Sequence, residues 1–294
     1  MEISHVIRGE EWLPSAPLHV MLYDAFGWDR PFFAHLPLVL KPDGNGKLSK
    51  RDGDRLGFPV FPTNWTTAEG DIYSGYREQG YFPDGFLNML AFLGWNPGTT
   101  QELFSLEELC ETFTLDRVSK SGAKFDPDKT KWYQQQYLRS SSDEQLADQL
   151  SQILTKNYDK PRLTTVCRLM KERATFIEDI WTEGSFLLEK PTEYDEKTTR
   201  KKWKGNASTL MSEWKTVLAS LTDFSAESIE LSFKDFITSK ELGIGAVLPL
   251  FRLLLTGKGM GPSMFEIASF LGSEECVERI TEGIYALAET TPQA

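Results

Sequence analysis

The chain has 294 residues, 43 of them acidic and 32 basic, for a formal net charge of −11, and 40% of its residues are hydrophobic. Such a chain is globular, long enough for two domains or three, and not a disordered polyelectrolyte. No apolar run reaches the roughly 18 residues of a membrane span. The acidic balance argues against non-specific nucleic-acid binding but leaves room for local basic faces.

In chain order, Ile3 to Arg8 reads as a short buried strand ending at Gly9. A helix follows, with Ser15 as N-cap, Pro17 in its first turn, a stripe of Leu18, Met21, Leu22, Ala25 and Phe26, and Gly27 as its closing residue. Phe33 to Leu40 reads as a second strand, which completes one parallel crossover unit. Two strands are too few for a domain and would leave an open edge and face, so the chain is expected to begin partway through a domain. Phe58 to Trp65 is rich in proline and aromatics and reads as irregular. From Asp71 onward nearly everything reads as helical. The expected helices cover 83–93, 105–113 with a Ser105/Glu108 capping box, 126–137 behind Asp126-Pro127, a helix opening at Ser142, and a long helix from Thr164 to Trp181. Residues 189–204 read as a linker or exposed helix start, and further helices cover 208–221, 225–239, 246–255, 262–271 and 273–287.

Three cysteines, Cys110, Cys167 and Cys276, lie far apart with no C-x-x-C and no histidine close by. They are expected as buried free thiols, not zinc ligands, in a reducing cytoplasm. The first residues have no signal-peptide layout, which agrees with a cytoplasmic location. The helical aromatics Phe86, Phe92, Phe113, Trp132, Phe176, Trp181, Trp214 and Phe265 are expected in cores.

Two segments carry chemistry. Arg8-Gly9-Glu10-Glu11-Trp12 follows the first strand, and Lys47-Leu48-Ser49-Lys50-Arg51 follows the second on a loop loosened by Gly44, Gly46 and Gly53. Alone, the first reads equally well as a surface Arg–Glu turn and the second as a solvated basic turn. In a parallel unit, however, both strand ends emerge on one sheet edge, where α/β folds bind ligands. One end could then hold a carboxylate through the Arg8 fork, and the other a triphosphate through mobile lysines and an arginine.

These blocks resemble bacterial glutamyl-tRNA synthetases, and 47–51 is similar to the KMSKS-type loop of class I synthetases. Ala34-His35-Leu36-Pro37-Leu38, Tyr76-Arg77-Glu78-Gln79-Gly80-Tyr81, Leu93-Gly94-Trp95, Arg117 to Ser121 and Gly261 to Glu266 continue the resemblance along nearly the whole chain. It implies a mainly α protein: a partial α/β, Rossmann-like remnant over 1–57, a stem-contact helical region over 58–138, and an all-α anticodon-binding array over 139–294, subdivided near 190–206. It implies ATP-dependent activation of glutamate and transfer to tRNA(Glu). Arg8 would bind glutamate. Glu11, Val39, Lys47, Leu48, Ser49, Lys50 and Arg51 would contact ATP, with Lys50 and Lys47 stabilising phosphate charge and Mg2+ accompanying the nucleotide.

The departures also matter. The family's paired histidines that grip ATP have no counterpart among His5, His19 and His35. About the first 200 residues of such an enzyme, two usual domains, are therefore expected to be missing. The chain alone is expected to bind tRNA without forming adenylate, as a monomer with no structural zinc and no membrane contact. The 58–65 stretch is longer than the family link and reads as an insertion. Basic clusters put tRNA contacts at Lys120, Lys124, Arg173 and Lys201, with Trp203 available to stack a base. A non-catalytic tRNA-binding module is the alternative from another class, and a form that also charges glutamine-type tRNA is the nearby one.

Overall fold

Residues 2–44 and 46–290 are described by a computed structural model, save the side chains of Arg51, Asp54, Glu289 and Thr290. The expected phosphate contact of the Arg51 side chain thus falls outside the described residues. Two units form. The first comprises Met1–Ser142 with Ala174–Glu178, the second Asp143–Arg173 with Asp179–Ala294.

The first unit runs β1 (His5–Gly9), a 3-10 turn (Glu10–Ser15), α1 (Ala16–Phe26), β2 (Phe32–Leu36), β3 (Val39–Leu40), α2 (Lys50–Leu56), β4 (Trp65–Thr66), β5 (Ile72–Tyr73), α3 (Pro83–Phe92), α4 (Leu106–Thr112), β6 (Ala123–Lys124) and α5 (Pro127–Ser140). β1 and β2 are parallel, in register from His5 opposite Phe32 to Gly9 opposite Leu36. The expected strand–helix–strand unit is present, and Gly27 closes α1 in the left-handed conformation that a residue without Cβ adopts cheaply. Leu18, Met21, Leu22 and Phe26 on α1 are exposed, as is Ile7 on β1. The first strand is therefore not the buried one that was expected.

The second expected strand is two. Pro37 has no amide to give a ladder, and β2 stops at Leu36. β3 leaves β2 and pairs instead, in parallel, with β6. Beyond Asp71 nearly everything is helical, as read, apart from short strands such as β5, in its antiparallel ribbon with β4, and β6. Ser15 stands at the N-cap position of α1, but its hydroxyl donates to the Trp12 carbonyl and makes no capping bond; two later caps form as read. Ser105 and Glu108 exchange both bonds of a capping box, and Asp126 accepts from the amides of Asp128 and Lys129. The core gathers Phe58, Tyr76, Tyr81, Met89, Phe125 and Tyr133, with Val39 and Leu48 packed against it.

The second unit is helical among its described residues: α6 (Asp143–Ile153), α7 (Lys160–Met170), α8 (Ile177–Gly184), α9 (Glu196–Lys202), α10 (Ala207–Ala219), α11 (Ala226–Ser239), α12 (Ile244–Thr256), α13 (Met264–Leu271) and α14 (Ser273–Thr290). The protein is thus mainly α, with a short α/β portion first. The long helix expected over 164–181 is broken between α7 and α8. Phe176, in the break, packs edge-on against Tyr81 with ring centroids 5.0 Å apart in the first unit. One buried aromatic contact outweighs a continuous helical period. In the second core Trp214 meets Phe233 edge-on at 4.9 Å and Phe251 at 5.6 Å. Two burial expectations fail: Cys110 is exposed, and Phe113 is 43% exposed, though tilted against Trp95.

Candidate functional site

The ends of β1 and β2 bring together the residues singled out above. The 3-10 turn after Gly9 directs two carboxylates in different directions. Glu10 accepts from the Leu38 amide at 3.1 Å, pinning the chain where it leaves β2. Glu11 accepts from Lys47 Nζ at 2.6 Å, and this hydrogen bond holds its carboxyl below the usual range. A Cβ at Gly9 would lie 2.2 Å from a Glu11 carboxylate oxygen, so only glycine leaves that carboxylate where it is.

The basic segment is ordered by its own backbone. Gly44 donates to the Lys41 carbonyl, Lys41 to that of Gly46, and Leu48 to that of Val39 at 2.8 Å. Gly44 and Gly46 have φ of 79° and 87°, which a turn this tight requires. Gly53 is different. It lies inside α2, and a Cβ there would sit 2.8 Å from the Phe58 carbonyl and 2.7 Å from Val60. It is a packing contact, not the hinge expected. The five residues therefore split: Lys47 is on the turn, Leu48 packs against the core, Ser49 lies before α2, and Lys50 and Arg51 are in the first helical turn.

Asp52 holds this arrangement. It is buried, 6% exposed, and accepts from the Ser49 amide at 3.0 Å and the Ser49 hydroxyl at 2.5 Å. Lys41 and Arg55 approach its other oxygen at 3.3 and 3.2 Å. The Ser49 bonds, followed by those cations, drive its carboxyl far below the ordinary range. Lys50 Nζ rests over the rings of Phe61 (5.3 Å) and Trp65 (5.6 Å), which stack on each other. The irregular 58–65 segment thus supplies an aromatic shelf for the second lysine.

Arg8 lies on the α1 side of the sheet with Val6. Its Nε donates to His35 Nε2 and its Nη1 contacts His19 Nδ1, both at 3.1 Å, while the guanidinium covers the Phe33 ring at 5.7 Å. Arg8, His19 and Phe33 line a cavity of about 370 Å3 with Val6, Leu22, Tyr23, Phe26 and Trp28.

The expected tRNA contacts are divided between the two units. Lys120 and Lys124 are exposed in the first unit, with Lys124 opposite Leu40 in the β3–β6 pair. In the second unit Arg173 is exposed after α7, and its charge, second to burial, lowers the pKa of Arg252. Lys201 joins Lys197, Arg200 and Lys204 around a concavity of about 660 Å3 that Asp195 and Glu196 also line. Trp203 is 8% exposed and so is not the stacking face expected beside them. Among the described residues no three His, Cys, Asp or Glu side chains converge on a metal-sized site.

Sequence reasoning missed His19, His35, Lys41, Asp52, Phe61 and Trp65 as parts of this region. Only Asp52 had a local signal, the three-residue spacing from Ser49 that marks a capping box. The others meet their partners through tertiary folding.

The chain is similar to known proteins along nearly its whole length. The family described as "tRNA synthetases class I (E and Q), catalytic domain" matches residues 1–132, and "Anticodon binding domain" matches 145–284. The chain is 52% identical over 291 residues to a glutamate–tRNA ligase of Christiangramia forsetii and 54% identical over 290 residues to one of Flavobacterium johnsoniae. Each alignment covers 98% of this chain and 58% of the relative. The crystal structure of a glutamate tRNA ligase from Elizabethkingia meningosepticum in complex with its amino acid superposes with a TM-score of 0.92 at 45% identity, again over 98% of this chain and 58% of the other.

Proposed function

Because this chain belongs to the glutamate–tRNA ligase family, spanning 58% of the length of the relatives it matches, we propose that it serves ATP-dependent activation of glutamate and transfer to tRNA(Glu). The observation that carries the proposal is the Lys47–Glu11 contact of 2.6 Å. It joins the Arg-Gly-Glu-Glu turn and the lysine segment into one site beneath two parallel strand ends. In that site Arg8 takes a glutamate carboxylate. Glu11, Val39 and the segment Lys47 to Arg51 take ATP. A glutamate carboxylate oxygen attacks the α-phosphorus, the bond to the β-phosphate oxygen breaks, and pyrophosphate leaves. Lys47 and Lys50 balance the charge growing on the phosphates. A ribose hydroxyl of the tRNA end then displaces AMP from the acyl carbon. Mg2+ arrives on the nucleotide. The exposed cations Lys120, Lys124, Arg173 and Lys201 meet tRNA phosphates, with 58–138 on the stem and 139–294 on the anticodon arm.

The 294-residue chain alone binds tRNA but forms no adenylate. Of its three histidines, two are engaged with Arg8, so no pair is free to grip ATP. Two measurements test this. In ATP–pyrophosphate exchange the isolated chain should show no glutamate-dependent activity; robust exchange would refute the reading that it forms no adenylate alone. In tRNA titrations, affinity should fall linearly on a log–log plot against salt, as counterions are released from phosphates. Failure to bind tRNA at low salt removes the tRNA-binding reading.

A further inference from the structure

The surroundings of Arg8 define a role for two histidines to which the sequence reading gave none. A guanidinium has five donors, no acceptor, and does not lose its proton in proteins. Both ring nitrogens facing it must therefore be acceptors. His35 presents Nε2 to Arg8 Nε and His19 presents Nδ1 to Arg8 Nη1, each at 3.1 Å. An acceptor nitrogen carries no hydrogen, so both imidazoles are neutral and of opposite tautomer: His35 protonated on Nδ1, His19 on Nε2. They reach Arg8 from different elements, β2 and α1, and the Phe33 ring lies against the guanidinium at 5.7 Å. Two guanidinium nitrogens and one face are thus fixed by protein. Nη2 remains: it is buried and has no hydrogen-bond partner.

We propose that His19 and His35 are positioning residues that clamp Arg8 as neutral acceptors of opposite tautomer, aiming Nη2 as the donor left for the substrate carboxylate. The inference rests on the reading of Arg8 as the glutamate-binding arginine. The physical reason for two imidazoles is charge. A carboxylate partner would also orient Arg8, but it would neutralise the cation and compete with the incoming anion. Neutral nitrogen acceptors fix the fork and leave its charge uncompensated. An unpartnered buried donor is unfavourable, and an arriving carboxylate relieves that.

The test uses the 294-residue chain labelled with 15N. Long-range proton–nitrogen correlation reads each tautomer directly. With only three histidines, assignment is short, and exposed His5, whose ring meets Ser4 and stacks on Phe32 away from Arg8, serves as reference. At mildly alkaline pH, His19 and His35 should be neutral with opposite tautomers, and Arg8→Lys should abolish that pattern. Either ring found as imidazolium, or both found in one tautomer, overturns the clamp. The second readout is the Arg8 Nε–H resonance during titration with L-glutamate. His19→Leu or His35→Leu should raise the half-maximal glutamate concentration at least ~10-fold, the factor expected when a charged donor loses one acceptor. His19→Asn places its amide oxygen where Nδ1 was, and His35→Gln where Nε2 was. These two variants should stay within ~3-fold, as an acceptor is retained. Equal glutamate responses in wild type and both leucine variants overturn the positioning role. If the leucine variants fail to fold, the wild-type tautomers and the two amide variants still decide it. Opposed tautomers without any glutamate response would instead sink the glutamate reading of Arg8 and leave the clamp standing.

Discussion

Asp52 accepts from both the amide and the hydroxyl of Ser49 while Lys41 and Arg55 flank its second oxygen. These bonds depress its carboxyl well below the ordinary value, and the sign of the linkage follows. The unfolded carboxyl titrates near ~3.9. The stabilisation is fully present above that value and drains as pH falls toward the lower folded value. Amide protection of the 49–56 segment, corrected for intrinsic exchange, should therefore be flat between neutral and mildly acidic pH and decline only below the unfolded carboxyl range. A decline near neutrality would contradict the burial and bonding of Asp52. Asp52→Asn keeps one acceptor oxygen but loses its charge toward Lys41 and Arg55. Trypsin should then cut after Lys47 and Lys50 about 5-fold faster in timed digests read by mass spectrometry, the scale of one lost charge-assisted bond. At this scale the sequence was half legible. Arg8, Glu11 and the lysine pair stand out by type and spacing, and Glu11 does meet Lys47. The partners of Arg8 do not, because His19 and His35 lie 11 and 27 residues away and converge only once β1 and β2 pair around α1.

Local signals read best where they depend on neighbours a few residues apart. The Ser105 and Asp126 caps formed as their spacing implied, and Gly27 stopped α1 where its missing Cβ allows a left-handed residue. Ser105→Ala should cost about 1 kcal/mol, measured as a lowered urea midpoint with unchanged slope. Non-local pairing was illegible. The β3–β6 pair joins residues more than eighty positions apart, and two-residue strands carry no period of their own. The β4–β5 ribbon depends on a close backbone approach. A Cβ on Gly75 would fall 2.2 Å from the Thr63 carbonyl carbon, a backbone atom that cannot rotate away. Gly75 also donates to the Asn64 side chain at 2.8 Å. Gly75→Ala should destabilise the first unit by about 1–3 kcal/mol, the usual cost of overpacking, and shift the aromatic shelf that Gly75 supports. Unchanged thermal unfolding would mean that this contact is looser than described.

For the whole molecule, a formal charge of −11 sets a general repulsion from nucleic acid that local cations must overcome. Reversing Lys201 to Glu should weaken tRNA binding uniformly across tRNA sequences and lower the salt slope by about 1, as expected of a phosphate contact. Thiol chemistry gives a second global check. Burial pushes Cys167 and Cys276 up to about 12, while Cys110 is exposed. Since the thiolate is the reactive form, an alkylating reagent at pH 8 should label Cys110 alone until the chain unfolds. Labelling of Cys276 in the native chain would show that α14 opens. The helical character of the second unit was plain from periodicity. The break between α7 and α8 was not, because Phe176 is drawn into the first unit's core by Tyr81 and Gly80.

The seat of Lys50 over Phe61 and Trp65 has a thermodynamic consequence. A cation resting on rings at an exposed position gains only ~0.5–1 kcal/mol, a bias of roughly two- to five-fold in population. The shelf is therefore a resting place and not a lock. A polyphosphate, with several charges to offer, draws the lysine away at little loss of affinity. On the shelf the side chain is spared most of its wandering, and the emission of Trp65 should change if the lysine leaves.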